Sequence, residues 1–220
     1  MNDYPRSKMI DNVFTADELT EIINHFRDQP VSQRFEPAQT DNKNLDYEIE
    51  DSLVYRMIRP KISNLLGDDE HVFFAGAYKE YKVPYQLHID NTVPTASMVF
   101  ESTKKHKTAF LIPLMEGEDL KTALFDVFLP VGHAFKVGAS MEDRVAELKP
   151  FLLNEKTDLI VNEFDHIFDP LNEMLPYIPV DTIHSWKLGS VITWHFDQLH
   201  CSSNFKKNDI TKKFIIIMIN

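Results

Sequence analysis

The chain has 220 residues, 43% of them hydrophobic with 16 Phe, enough to bury a sizeable core within one domain. Its 23 basic and 34 acidic side chains leave a formal charge of −11, which offers no general attraction to phosphate backbones or anionic membranes, so neither nucleic acid nor membrane is an expected partner. A single cysteine, Cys201, excludes an intrachain disulfide framework, and the polar stretch Met1 to Asp11 has no apolar signal segment, which together make the cytoplasm the expected compartment.

Thr15-Ala16-Asp17-Glu18 has the form of a capping box, with Phe14 and Leu19 as its hydrophobic staple. Leu19, Ile22, Ile23 and Phe26 continue as a helical stripe that packs on a core. Gln29 to Glu50 is polar and reads as loop. From Asp51 to Leu66 the apolar positions predict a second helix, ended by Gly67 and bent or broken at Pro60.

Beyond Gly67 the texture changes to short runs of aromatic and β-branched residues. Strands are predicted at His71 to Tyr81, Pro84 to Ile89, Thr108 to Pro113, Thr122 to Phe128, Ser190 to His195 and Phe214 to Ile219. Ser140 to Leu148 reads as a short helix with Ser140 as its cap. Phe151 to Ile183 has no clear period and reads as irregular. The order of helices first and strands after predicts a mainly β domain with N-terminal helices, an α+β class. Its expected organisation is one domain over 1–220, with helical support in 1–67, a β core in 68–220 and an irregular insert at about 115–188.

Two His-x-acid pairs occur, His88-Ile89-Asp90 and His195-Phe196-Asp197, little more than this composition yields by chance. The ordinary explanation of such a pair is a surface histidine beside its counter-charge. On a strand, however, residues i and i+2 project from one face about 6.6 Å apart along the chain, so His88 and Asp90 can converge on one ion. His200, in the polar bend after the strand that carries Trp194, would complete two imidazoles and one carboxylate, the facial arrangement that leaves positions open on a non-haem Fe(II). The rival set is His195, Asp197 and His200.

The order of motifs carries a resemblance. A capped helix, then strands, Tyr78-x9-His88-x-Asp90, Gly189-x4-Trp194-x5-His200, and Lys212-Lys213 before an apolar strand resemble the Fe(II)/2-oxoglutarate-dependent oxygenases. The segment AYKEYKVPYQLHID is most similar to their prolyl-4-hydroxylase-like branch. The likeness runs through most of the chain in order, but matches in detail only around the two ligand segments.

The resemblance implies a double-stranded β-helix, or jelly roll, with His88, Asp90 and His200 on Fe(II). It implies 2-oxoglutarate as co-substrate, chelating the metal through its keto-acid end, with Lys212 or Lys213 on its far carboxylate, Tyr78 adding a hydroxyl there and Tyr85 lining the pocket. With O2 the implied reaction hydroxylates a C–H bond of an amino-acid-like small molecule or a protein side chain and releases succinate and CO2. A carboxylate at position 90 argues against halogenation. Trp194 reads as a packing residue, Cys201 as a small buried hydrophobe, and Ser202, Ser203 and Asn204 as turn residues.

Two further classes compete with the hydroxylase. One is a non-oxidative jelly-roll, cupin-like metal- or ligand-binding module, whose mark would be a missing ligand or basic anchor. The other is a protein-interaction module using the acidic surface.

Overall fold

The computed structural model describes residues 5–27, 53–67, 74–90, 108–129, 140–159, 161–167 and 169–219. The predicted loop at Gln29 to Glu50 lies outside them. Strands are β1 (Lys8–Ile10), β2 (Phe74–Tyr81), β3 (Thr108–Pro113), β4 (Lys121–Phe128), β5 (Val180–Ser185), β6 (Val191–His195), β7 (Gln198–Ser202) and β8 (Lys212–Ile219). Helices are α1 (Ala16–Arg27), α2 (Leu53–Leu66), α3 (Met141–Leu148) and the single turn α4 (Leu171–Met174).

All strand pairs are antiparallel. One sheet runs β1-β6-β3-β8-β2 and the other β5-β4-β7. The chain therefore passes back and forth between the sheets, and the alternation of each strand sorts its side chains into layers. On β8, Ile215, Ile217 and Ile219 face α1 and α2, in a cluster that also holds Phe14, Leu19, Ile22, Phe26, Ile58 and Ile62. Phe214 and Ile216 face the opposite way, toward Leu124 of the second sheet, with Trp186, Ile192, Trp194 and Phe205 around them. The outer face of the second sheet, through Ala123, Phe125, Leu199 and Cys201, is covered by α3, α4 and the irregular stretches near them. Each large apolar side chain buried this way contributes about 1.5–3 kcal/mol.

The predicted capping box is present. The Thr15 amide donates to Glu18 Oε2 at 2.8 Å, and the Glu18 amide donates to Thr15 Oγ1 at 3.3 Å. Lys61 of α2 ties the two helices by donating to the Val13 carbonyl at 2.8 Å and pairing with Glu18 at 3.0 Å. Contrary to the expected break, α2 runs through Pro60 as one helix. Pro60 is solvent-exposed, so the hydrogen bond it forfeits lies where water can satisfy the freed carbonyl.

Three strands were not anticipated. β1 is an edge strand paired only with β6, and it comes from the segment read as helical support. β5 lies in the stretch read as irregular, and β7 in the expected polar bend. Conversely, 84–89 forms no extended strand; its sheet contact is a single antiparallel bridge between His88 and His200. Among the described residues no helix is long and apolar enough to cross a membrane.

Candidate metal centre

The bridge fixes the segment that carries the His-x-Asp pair. His88 and His200 exchange both backbone hydrogen bonds at 2.9 Å, and the Asp90 amide donates to the Phe196 carbonyl at 3.0 Å. Leu87 and Ile89 are buried in the outer cluster with Leu199 and Cys201, which turns His88, Asp90 and His200 to the inside.

There the three side chains converge. One ligand atom from each lies within 4.8 Å of the others, the sole such cluster of three among the described residues. The imidazole rings sit 4.1 Å apart, centroid to centroid. Each ring is oriented by a backbone carbonyl two residues upstream: His88 Nδ1 lies 2.7 Å from Gln86 O, and His200 Nδ1 lies 2.9 Å from Gln198 O. A carbonyl only accepts, so on neutral rings both Nδ1 atoms carry the proton and both Nε2 atoms keep a lone pair. Burial, reinforced by the neighbouring His200, pushes His88 well below the ordinary histidine range and keeps it neutral.

Trp194 does more than pack. Its indole N–H donates to Asp90 Oδ2 at 2.7 Å, and its ring lies 5.0 Å from that of His200. The indole thereby fixes the carboxylate with Oδ2 3.7 Å from His200 Nε2.

The structure distinguishes the two lysines that strand alternation left open. Lys212 is buried and points between the sheets, with its ammonium 4.1 Å from the Trp186 ring centroid, 5.3 Å from Phe214 and 5.6 Å from Phe205. Desolvation lowers its pKa to about 7. Lys213 points the other way and pairs with Glu80 at 3.1 Å.

Tyr78 is also on the other face. It stacks on Phe26 of α1 at 4.4 Å and donates to Glu80 at 2.5 Å. Paired opposite Ile215, it belongs to the helix-facing side, so the expected contact with a co-substrate carboxylate is not made there. Tyr81, three residues on, takes the inner position directly opposite Lys212, with its hydroxyl 3.3 Å from that of Tyr85. The Tyr85 ring lies 4.6 Å from that of His88. The rival pair forms a contact of its own, His195 Nδ1 accepting from the Asp197 amide at 3.2 Å, but does not join His200 in a cluster. Cys201 points outward and is fully buried, its thiol pushed up and held protonated by desolvation.

No protein-family model and no curated protein matches the chain by sequence. Solved structures do match. The non-heme alpha-ketoglutarate-dependent epimerase SnoN from nogalamycin biosynthesis aligns with a TM-score of 0.54 at 14% identity, over 97% of this chain and 77% of its own. HygX from Streptomyces hygroscopicus, with nickel and 2-oxoglutarate bound, gives 0.56 at 11%, over 98% and 82%. EvdO2 from Micromonospora carbonacea var. aurantiaca, complexed with 2-oxoglutarate, gives 0.53 at 13%, over 97% and 86%. The chain has the fold of non-heme 2-oxoglutarate-dependent enzymes.

Within that fold the sequence carried one signal that the motif reading missed. The tripeptide Gln-Leu-His occurs twice, at 86–88 and 198–200. In both copies the glutamine carbonyl orients the histidine, the leucine is buried in the outer cluster and the histidine faces in. Tyr81, and the hydrogen bond of Trp194 to Asp90, were missed for a different reason: neither is evident until strand pairing says which face is inside.

Proposed function

We propose that the protein is a non-haem Fe(II)- and 2-oxoglutarate-dependent dioxygenase that hydroxylates a C–H bond of a small molecule, releasing succinate and CO2. The observation that carries this reading is the convergence of His88, Asp90 and His200 with both imidazole Nδ1 positions tied to backbone carbonyls. The set fits the metal: two neutral nitrogens and one anionic oxygen make a facial triad that leaves room for a bidentate co-substrate and dioxygen. We read the two sheets, with 88–90 bridged to β7, as a double-stranded β-helix whose mouth holds this triad.

The co-substrate also has a matching anchor. Among the described residues Lys212 is a buried cation whose contacts are aromatic rings rather than a carboxylate, and a buried charge calls for a partner. The distal carboxylate of 2-oxoglutarate would supply it, drawing the proton onto Lys212 Nζ, with the Tyr81 and Tyr85 hydroxyls beside it. Trp186, Phe205 and Phe214 exclude water around that ion pair and so strengthen it. Asp90, its Oδ2 held by Trp194 and 3.7 Å from His200 Nε2, would supply the carboxylate of the triad. When bound, the iron and 2-oxoglutarate together supply the oxidising power that breaks the C–H bond; the protein's part is to orient its ligands and keep the site dry.

The proposal stays at the level of the superfamily: the prolyl-4-hydroxylase-like likeness rested on the segment AYKEYKVPYQLHID with its tyrosines Tyr78 and Tyr85, and Tyr78 faces the helices. A small-molecule substrate is favoured over a protein side chain by the similar structures that carry one, SnoN with nogalamycin RO and HygX with hygromycin B. Anaerobic titration of the protein with Fe(II) and 2-oxoglutarate tests the reading without any substrate. A weak visible charge-transfer band that is absent from His88→Ala is the expected result. No band, together with tight zinc binding, would sink the oxygenase and leave a metal-binding module of the same fold.

A further inference from the structure

The two Gln-Leu-His copies are anchored differently. In β7 the Gln198 side chain is tied into its own sheet, its amide donating to Phe125 O at 3.2 Å and to Asp181 Oδ2 at 3.0 Å. The 85–88 segment meets that sheet through the His88–His200 bridge and through the Tyr85 amide, which donates to Ser202 Oγ of β7 at 2.8 Å, and the Gln86 side chain instead reaches out of it to donate to the His166 carbonyl at 2.8 Å. His166 answers from the same turn: its Nε2–H donates to the Tyr85 carbonyl at 2.9 Å. The Tyr85-Gln86 unit is thus gripped twice by one residue, and its next carbonyl, Gln86 O, is the acceptor that orients His88.

The 161–167 stretch is in turn fastened to the chain just after His200. The Asn204 amide donates to Glu163 O at 2.7 Å, the Asn204 side chain donates to Asp165 at 2.6 Å, and Lys207 bonds Asn162 O at 2.8 Å and Asp165 at 2.7 Å. Lys121 at the start of β4 pairs with Glu163 at 2.6 Å. The stretch therefore spans from the segment ahead of one histidine to the turn behind the other.

We propose that residues 161–167 are a brace that fixes the metal-ligand geometry, with His166 as a positioning residue acting on His88 through Tyr85 and Gln86. The inference rests on the reading that His88, Asp90 and His200 hold the metal. What singles out His166 is its other nitrogen: Nδ1 is buried and has no hydrogen-bond partner among the described residues. With Nε2 carrying the proton, that bare acceptor is a standing penalty that a phenyl ring of similar size would not incur. What the imidazole supplies and a phenyl ring cannot is the Nε2–H on Tyr85 O. Burial lowers the His166 pKa and so favours this neutral, single-donor state.

The test uses Co(II) alone as probe, its binding followed by the visible absorption of the bound ion, alongside thermal midpoints of the metal-free proteins. His166→Phe and Gln86→Met are each expected to weaken Co(II) binding about 10-fold, with the His166→Phe midpoint unchanged or raised. His166→Gln, whose side-chain amide can donate to Tyr85 O, recovers most of the affinity. Binding within twofold of wild type in both His166→Phe and Gln86→Met overturns the brace, as does a loss that merely follows a lowered midpoint. Should His166→Phe fail to fold, Gln86→Met decides alone. Failure of wild type to bind Co(II), or undiminished binding by His88→Ala, overturns instead the metal-site reading beneath it.

Discussion

Lys212 sets a conflict between stability and function at the scale of one residue. Its folded pKa of about 7 lies below the ordinary lysine value of 10.5, so the unfolded chain holds more protons between those two pH values. The destabilisation is complete below about pH 7 and relaxes as pH rises toward 10.5. Lys212→Met should therefore raise the thermal midpoint of the protein without co-substrate, more at pH 6 than at pH 9, while weakening 2-oxoglutarate binding at least about 100-fold. Differential scanning calorimetry and a binding isotherm read the two effects separately. For wild type, the same ionisation makes 2-oxoglutarate affinity fall as pH rises past about 7, by up to about tenfold per unit until the pKa of the bound state is passed. A flat affinity from pH 6 to 9 would remove Lys212 from the site.

Trp194→Phe keeps an aromatic ring beside His200 but deletes the N–H on Asp90 Oδ2 together with part of the buried indole. Fe(II) affinity is expected to drop about 10-fold, beyond what the lost packing alone takes from the denaturation midpoint. An unchanged affinity would make Trp194 the packing residue that the sequence alone had indicated. At this scale the cluster His88, Asp90 and His200 could be picked out because its members sit in a chemically distinctive order along the chain. Tyr78, Tyr81, Lys212 and Lys213 were not, because adjacent strand positions carry the same residue types and only the β2–β8 register, with Tyr81 opposite Lys212, tells inside from outside.

Among the elements, α1 and α2 were readable from local chemistry, the reciprocal hydrogen bonds of Thr15 and Glu18 and the apolar stripe behind them. β7 was not, since its inward residues Gln198, His200 and Ser202 are polar for the sake of the site and imitate a turn. β5 escaped because five of its six residues are half-buried at a sheet edge and it lacks a clean alternation, β1 because three residues give no period at all. Gly189 joins two of these elements. Its carbonyl accepts from the amides of Val13 and Phe14, its φ is +77°, and a Cβ there would fall 2.6 Å from the Phe14 carbonyl oxygen. Gly189→Ala should cost roughly 2 kcal/mol, measured by urea denaturation, by prising the start of α1 from the turn before β6. A loss near zero would mean that the two segments part readily.

Over the whole molecule, the metal site joins regions far apart in the chain, so a bound ion should stabilise the fold itself. At 100 times its dissociation constant Co(II) is expected to add about 2.7 kcal/mol to unfolding, an increment that Asp90→Ala should largely abolish in the same denaturation experiment. An equal gain in both proteins would place the ion elsewhere. The layered arrangement of helices, five-stranded sheet and three-stranded sheet could be anticipated only in part. Strand number and face depend on long-range pairing, and the residues that cap the outer sheet come from a stretch with no period of its own.

The reciprocal bridge between His88 and His200 has the local symmetry of any antiparallel pair, a two-fold axis passing between the partners. Because the residues on either side repeat as Gln-Leu-His, that axis relates two nearly equivalent imidazole arms. Such a hinge-free pair grips an ion evenly but cannot by itself distinguish one open side of it from another. The distinction comes from groups outside that pairing: Asp90 with its indole on one flank and Lys212 in its aromatic cage. Those unmatched groups, rather than the twin arms, are then what gives the surroundings of an ion held there a front and a back.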